Sequence, residues 1–288
     1  MPFLRNQLCP LMLALALLLG MLSQQRPALA ADGPVIPNFW DPQERFIRPN
    51  LKSLPRLKFL TTTDFPPFSY VDQDKRLAGF HIDLARAICS ELEVLKVCQI
   101  QALPFDELRT ALAAGNGDAI IAGLSVTATT RQEFEFSRTY FRLPARFVAS
   151  KKAGLEEPLI TSLAGQRVGV IAGTAHAAFG EDHFGDMQLQ LFPGRDEMLT
   201  ALEAGSISAA FDDGLALSFW LRGKKGAECC SFAGGPYLSE AHFGHGLAVA
   251  ITKGNRELTD GIDYALRSIN DKGIFAELYL RYFPISLY

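Results

Sequence analysis

Two stretches of the chain repeat one pattern of apolar and polar positions, ninety residues apart. The first covers 108–124 (LRTALAAGNGDAIIAGL) and the second covers 198–214 (MLTALEAGSISAAFDDG). Each copy places apolar residues at helical spacing, reaches an Ala-Gly pair and continues into a short apolar run. Each copy is therefore predicted to form an amphipathic helix, a turn and a small strand. Polar or small residues end both strands, which indicates two similar lobes facing each other across a cleft.

The order of the patterns predicts the fold class. Strand-like runs at 57–62, 98–102 and 119–122 alternate with helical periods at 82–92 and 105–114. This β-α-β-α-β order is typical of an α/β fold with a mainly parallel sheet and helices on its faces. Between the first strand and the first helix, the two prolines of DFPPF predict a rigid loop.

A second α/β unit follows the first. Its predicted strands lie at 167–171, 189–192 and 209–211, and its helices begin near 176 and 196. Runs at 145–150 and 246–251 are predicted to cross between the units as a two-strand hinge, which would absorb closure around a ligand. Helices are predicted at 256–269 and 274–282. We therefore expect two lobes, with lobe 1 at 57–147 and 249–288 and lobe 2 at 148–248.

The N-terminal residues are predicted to lie outside this fold. Arg5, an apolar run at 11–22 and the Ala-Leu-Ala triplet at 28–30 are typical of a secretory signal peptide cleaved after Ala30. An uncleaved anchor is the alternative, but the run is shorter than the roughly 20 residues that span a bilayer. We expect an exported, periplasmic protein. Residues 31–56, rich in proline and aromatic residues, are predicted to form an extended arm.

Composition excludes some classes of protein. The chain carries 28 Lys and Arg against 31 Asp and Glu, a net charge of −3 at pH 7. A weakly acidic chain argues against binding to nucleic acid or another polyanion. We expect a monomer without a cofactor. His242 and His245 lie three apart without a third clear ligand, so no metal site is predicted.

Four cysteines follow the predicted cleavage site. Cys89 and Cys98 are too far apart to bridge along one helix. They could meet if the helix ended near 91–93 and the chain doubled back, and in an exported protein we expect this disulfide. Adjacent cysteines rarely bond each other, so Cys229 and Cys230 could instead be small apolar residues, or one of them could pair elsewhere, and the sequence leaves their pairing open.

Candidate ligand contacts follow the first repeat. Gly123 and Ser125 end its strand, and Arg131 lies near the start of a short helix. A guanidinium matches a carboxylate in bidentate geometry, and helix N-termini attract anions. The alternative is that Arg131 is a solvated helix residue and Ser125 is a cap.

The second lobe offers complementary groups. Thr174 and Ala175 follow Gly173 in a turn between a strand and a helix, where ligands bind in α/β sheets. Asp213 ends a strand and suits an ammonium group, although it could simply cap the next helix. Phe65 and Phe105 could form two walls of the site, with ordinary core packing as the alternative.

These segments together resemble a known family. From 57 to 283 the chain is similar to bacterial periplasmic solute-binding proteins of ABC transporters, of the class that binds polar amino acids (family 3). The resemblance rests on TTTDFPPFSY, LAGFHIDLARAIC, LPFDELRTALAAGNGDAIIAGLSVTATTRQEFEFS, LAGQRVGVIAGTAH, ALEAGSISAAFDD and DKGIFAELYLRYF, in this order. It implies a non-catalytic binder with the two-lobed periplasmic-binding-protein fold. Such a binder captures an amino acid or similar zwitterion by lobe closure and delivers it to a membrane permease.

The resemblance also implies a role for individual residues. Phe65 matches the aromatic residue that covers the ligand, and Gly123 and Ser125 match positions that contact its amino and carboxylate groups. Arg131 matches the carboxylate-binding arginine and Asp213 the ammonium-binding aspartate. The backbone at Thr174 and Ala175 matches the second-lobe turn that meets the carboxylate.

The chain departs from the family at two positions. Arg131 comes one residue later than the pattern places its arginine, so Thr130 could occupy that position. Thr62 stands where members specific for basic side chains often carry an acid. Two other functions stay open, an enzyme similar to the cyclohexadienyl dehydratases and an accessory or receptor protein of another periplasmic system. For the enzyme, Glu181, Asp212 and His176 are the candidate proton-transfer groups.

Overall fold

The computed structural model describes residues 36–41, 43–283 and 286–288. The predicted signal peptide, its cleavage site and residues 31–35 of the predicted arm lie outside these residues. Among the residues described, no helix combines the length and the apolar character needed to cross a membrane.

Two five-stranded sheets and one small sheet organise the described chain. The strands of the first are β1 Leu57–Thr61, β5 Cys98–Ala102, β6 Ala119–Ile120, β7 Phe134–Phe136 and β13 Ala250–Thr252. Those of the second are β8 Ala145–Ser150, β9 Arg167–Ile171, β10 Gln188–Phe192, β11 Ala209–Asp213 and β12 Cys230–Tyr237. Those of the small sheet are β2 Asp64–Phe65, β3 Ser69–Val71 and β4 Leu77–Ala78.

The two large sheets share one plan. The first has the order β5-β1-β6-β13-β7 and the second the order β10-β9-β11-β8-β12. In each sheet the second strand in this order, β1 or β9, pairs in parallel with both neighbours, and the remaining pairs are antiparallel. Helices flank both sheets, so the two-lobed α/β fold class is confirmed.

The helices follow the apolar periodicity. They are α1 Phe80–Glu91, α2 Leu108–Ala113, α3 Ala128–Glu133, α4 Leu159–Ser162, α5 Ala175–His183, α6 Arg195–Glu203, α7 Gly214–Arg222, α8 Lys224–Cys229, α9 Glu240–Phe243, α10 Arg256–Asp271 and α11 Ile274–Tyr282. Helix α10 buries Leu258, Ile262 and Leu266, four residues apart, on one face. Its N-terminus is capped by Asn255, which accepts the N–H of Leu258 at 3.2 Å.

Two predicted stretches are corrected by the structure. The segment DFPPF was predicted to be a loop, but its first two residues, Asp64 and Phe65, form β2 and pair with β3. The prolines at 66 and 67 lie in the turn between these two strands. The eight-residue strand β12 was not predicted, because Gly234, Gly235 and Pro236 argue against a strand. Pairing with β8 supplies the ladder, and an irregularity between Ala233 and Tyr237 accommodates these three residues.

Two connections run between the sheets. One joins β7 to β8 and the other joins β12 to β13, and they pair where Leu247 N donates to Phe141 O at 2.7 Å. Gly246 has a φ of +89°, and a Cβ there would lie 2.5 Å from Phe141 O, so this close approach requires glycine. Strand β8 belongs to the second sheet from its first residue. The lobe boundaries at 147 and 248 stay a prediction.

The described part of the arm packs on the first lobe. Trp40 and Leu51 are buried in the core that includes α1, α10 and α11. Gly261 of α10 leaves room for this contact, because a Cβ there would lie 2.6 Å from Leu51 Cδ1. Arg267 Nη1 also donates to Asp41 O at 2.9 Å. The arm is therefore held by buried apolar contacts as well as by polar ones.

Two disulfides are present. Cys89 and Cys98 are bonded, since α1 ends at Glu91 and the chain turns back into β5. Cys229 and Cys230, whose pairing the sequence left open, are bonded to each other, although bonds between adjacent cysteines are rare. Helix α8 ends at the first of these residues and β12 begins at the second, and this change of backbone direction brings the sulfurs within bonding distance.

A buried carboxyl makes stability depend on pH. Burial raises the pKa of Asp263 to about 7, although the N–H of Arg138 donates to its Oδ1 at 2.6 Å. In the unfolded chain the carboxyl ionises near its usual value of 3.8. Between these values the folded state binds the extra proton, so this group adds stability as the pH falls from 8 toward 5.

Asp263→Asn is expected to remove that gain, which is on the order of 2 kcal/mol between pH 8 and pH 5. Urea denaturation of both proteins at several pH values measures it. The wild-type protein is the necessary reference, because burial lowers the pKa of His81 to about 3 and this has the opposite effect below pH 6.5. Parallel stability curves for the two proteins would contradict the prediction.

Candidate functional site

A cleft of about 560 Å³ lies beside the connections between the sheets. A volume of this size is typical of small-molecule sites. Phe65, Gly123, Ser125 and Thr127 line one part of the cleft, here called the first wall, and residues 240–247 line another part, here called the second wall. The structure therefore brings together three of the predicted ligand-binding residues, which come from β2 and from the loop after β6.

An aromatic platform forms the first wall. The ring of Phe65 stacks on Phe68 with centroids 4.7 Å apart. Gly123, at a φ of +77°, lies against this platform, and a Cβ there would lie 2.9 Å from Phe65 Cε1. Below the platform His81 is fully buried and its Nε2 lies 2.8 Å from the hydroxyl of Tyr140. Since its pKa is lowered to about 3, the imidazole is neutral at physiological pH.

The loop before α3 is held by its threonines. Thr127 and Thr130 form a capping box, in which each side chain accepts the other residue's backbone N–H. The Thr130 hydroxyl also donates to Ser125 O at 2.8 Å and is buried. These bonds fix the backbone of Ser125 at the rim of the cleft. Thr130 therefore completes the capping box as its N3 residue, and its place at the family's carboxylate position stays a prediction.

Two predicted contacts lie away from this wall. The guanidinium of Arg131 lies over the ring of Phe136, 5.9 Å from its centroid, and Arg131 does not line the cleft. Phe105 begins a 3₁₀ turn, is 46% exposed and does not line the cleft either. The ligand-binding roles of both residues stay predictions.

Helix α9 and the loop after it form the second wall, which sequence reasoning missed. His242 Nε2 lies 2.9 Å from Asp182 Oδ2, and its Nδ1 lies 3.0 Å from the Oγ of Ser239, the N-cap of α9. The ring of Phe243 stacks on His176 at 5.0 Å. These contacts fix α9 to α5. The only feature of the sequence that could have pointed to this wall is the run EAHFGHG at 240–246, whose glycines and aromatic residues follow neither a helix period nor a strand period.

The other predicted residues gather at one edge of the second sheet. Thr174 and Ala175 follow β9 and Asp213 ends β11, and these strands are parallel neighbours. Thr174 Oγ1 accepts the N–H of Ala177 at 3.2 Å, and Asp213 accepts the N–H of Ala216 at 2.8 Å. Both side chains therefore cap helices, which for Asp213 is the alternative stated above. None of the three lines the cleft, although His176, next in sequence, touches Phe243 of its wall.

The charges near this edge are arranged in pairs. Asp212 is buried, and its Oδ2 lies 2.5 Å from Nε of Arg195 while its Oδ1 lies 3.5 Å from Nδ1 of His176. Burial raises the pKa of Asp213, and among the residues that the structure describes no cationic side chain forms a salt bridge with its carboxylate. A cationic group of a ligand would offset that desolvation. Among the residues described, no cluster of His, Cys, Asp and Glu could hold a metal ion.

Two α/β lobes, two connections and a cleft beside them define a two-domain solute-binding protein. The family model described as bacterial extracellular solute-binding proteins, family 3, matches residues 57–285. The chain belongs to this family.

Curated relatives extend over most of the chain. A histidine-binding periplasmic protein of Salmonella typhimurium is 29% identical over 235 residues, covering 81% of this chain and 89% of the relative. A lysine/arginine/ornithine-binding periplasmic protein of Escherichia coli is 30% identical over 230 residues, covering 79% and 87%. Both relatives are named as binding proteins.

Solved structures support the fold. The L-cystine solute receptor of Neisseria gonorrhoeae, in its unliganded open conformation, gives a TM-score of 0.70 at 19% identity over 83% of this chain and 96% of that chain. Substrate binding domain 2 of GlnP from Lactococcus lactis gives 0.66 at 21% identity over 80% and 96%. At these identities the likeness concerns the fold alone.

Proposed function

We propose that this protein binds an amino acid or a similar zwitterion by closing its two lobes and delivers it to the permease of an ABC transporter. The observation that carries the proposal is the cleft in which Phe65, Gly123 and Ser125 face residues 240–247. The platform of Phe65 suits the aliphatic or cationic part of such a ligand. The names of the curated relatives, which bind histidine, lysine, arginine or ornithine, support the same ligand class.

In this proposal the lobes contact opposite ends of one ligand. From the first lobe, Ser125 and the backbone around it would contact the ligand. From the second lobe, the turn at Thr174 and the carboxylate of Asp213 would contact it. The second group lies at the carboxyl ends of two parallel strands, the edge where α/β sheets bind ligands. Lobe closure would bring this edge toward the cleft. The protein would act as a periplasmic monomer and leave its ligand chemically unchanged.

A thermal-shift screen of the twenty common amino acids tests the proposal. A ligand that binds the native state at a hundred times its Kd adds about 2.7 kcal/mol, which raises the melting temperature by about 5 °C or more. We expect such a rise with at least one L-amino acid and no comparable rise with its D-enantiomer. The bound ligand should be recovered unaltered by mass spectrometry. A screen in which no amino acid raises the melting temperature would overturn the proposal.

A further inference from the structure

The cleft has no permanent cation on its walls. The charged or titratable side chains that line it are Glu240, His242 and His245, and among the described residues lining it none is an arginine or a lysine. Thr130 is occupied as a cap, and Arg131 faces Phe136. A ligand carboxylate held in this cleft would therefore lack a guanidinium or ammonium partner from the main walls.

A smaller pocket that adjoins the cleft supplies one. This pocket of about 180 Å³ is lined by Arg142. It shares five lining residues with the cleft, namely Leu143, Glu240, Phe243, Gly244 and Gly246. Because the two cavities share these lining residues, the pocket adjoins the cleft. Arg142 lies in the connection between β7 and β8, at the base of the two lobes.

The side chain of Arg142 is held in place but not fully bonded. Its Nη2 donates to Glu240 Oε1 at 3.2 Å, and its guanidinium lies 5.7 Å above the ring centroid of Phe39. Its backbone carbonyl accepts the hydroxyl of Tyr288. Its Nε is buried and has no acceptor among the described residues. A buried N–H without an acceptor is unfavourable, and a carboxylate oxygen would satisfy it once the side chain, which is 33% exposed, rotated to present Nε to the pocket.

We propose that Arg142 binds a carboxylate of the ligand. The carboxylate would accept from Nε and from the second N–H of Nη2, the side-on bidentate arrangement that a guanidinium favours. Glu240 is then a positioning residue, since its bond to Nη2 and the ring of Phe39 orient the guanidinium. His245, whose Nδ1 lies 3.4 Å from Glu240 Oε2, is the other titratable group at this pair. The inference rests on the proposed function and names a residue of the same site.

The carboxylate could be the α-carboxylate or one on the ligand's side chain, and two pairs of probes separate these sources. L-arginine and agmatine differ by the α-carboxylate, and L-glutamate and L-glutamine differ by the side-chain carboxylate. Isothermal titration gives the affinity of the wild-type protein for all four compounds. We expect the carboxylate-bearing member of at least one pair to bind at least tenfold more tightly.

Arg142→Gln is expected to reduce that preference to less than threefold, while the affinity for the member without the carboxylate stays within threefold. Arg281→Gln is the matched control, because it removes a guanidinium that pairs with Asp83 and lines neither the cleft nor the pocket, and it should leave the preference unchanged. Arg142→Lys keeps the charge and the stem, so it serves if the glutamine variant does not fold. It should lose more than half of the preference, since an ammonium cannot make the bidentate contact.

The outcomes separate the two proposals. If the wild-type protein binds a probe but shows no preference in either pair, the inference fails and the proposed function stands. The same holds if Arg142→Gln keeps the preference or if Arg281→Gln removes it. If the wild-type protein binds none of the four probes, the inference fails. The proposed function fails with it only if no amino acid raises the melting temperature in the thermal-shift screen.

Discussion

Replacing Asp213 by alanine is expected to abolish amino acid binding, with a loss of affinity of about a hundredfold or more. A charge-assisted hydrogen bond to an ammonium group, lost from a buried position, costs roughly 2–5 kcal/mol in binding. The same variant loses the cap of α7, because Asp213 accepts the N–H of Ala216 at 2.8 Å. This second loss should lower the free energy of unfolding by about 1 kcal/mol.

Asp213→Asn separates the two effects. Asparagine is as good an N-cap as aspartate, so the variant should unfold within about 0.5 kcal/mol of the wild-type protein. It has no negative charge, so its affinity for the amino acid should fall nearly as far as that of the alanine variant. Isothermal titration and urea denaturation of both variants measure this. Wild-type affinity in the asparagine variant would show that Asp213 is a cap alone and that the second-lobe assignment is wrong.

Gly123→Ala is expected to weaken ligand binding by at least tenfold. The new Cβ would lie 2.9 Å from Cε1 of Phe65, so the ring must leave its position on the platform. A side chain at a φ of +77° adds backbone strain of roughly 1–2 kcal/mol. Titration with the ligand found in the thermal-shift screen gives the change in affinity, and urea denaturation gives the change in stability.

Gly115→Ala is the matched control for that experiment. Gly115 has nearly the same φ, +75°, but nothing lies within 4 Å of its Cβ position. Gly115→Ala should therefore lower the free energy of unfolding through the same backbone strain and leave the affinity for the ligand unchanged. Equal affinities in the two alanine variants would mean that the ring of Phe65 does not contact the ligand.

Local pattern was sufficient for many of the elements. The helix predicted at 274–282 is α11, and the predicted 256–269 helix is α10 with two further residues. Strong apolar periodicity and a capping asparagine at 255 act within a few turns, so they are readable in the chain. Strand β12 was not readable. Its glycines and proline oppose a strand locally, and its pairing partner β8 is about eighty residues away in the chain.

The site was predictable on one side and not on the other. Phe65, Gly123 and Ser125 lie in the segments TTTDFPPFSY and IIAGLSV, whose order of residues marks them as candidates. The wall at 240–247 carries no comparable mark. Glu240, His242 and Phe243 face the cleft because α9 is bonded to α5 through His242 and Asp182 and stacked through Phe243 and His176.

The chain's own residues specified the fold class and the type of each long element, because periodicity, caps and turns depend on neighbours a few positions apart. They also specified the disulfide between Cys89 and Cys98, since nine residues are enough for the chain to double back. The contacts that each arginine side chain makes could not be predicted from neighbouring residues in the sequence. Arg131 faces Phe136, while Arg142 meets Glu240 beside the cleft. That difference depends on a contact across 98 residues, which forms when the two connections pair and the lobes come together.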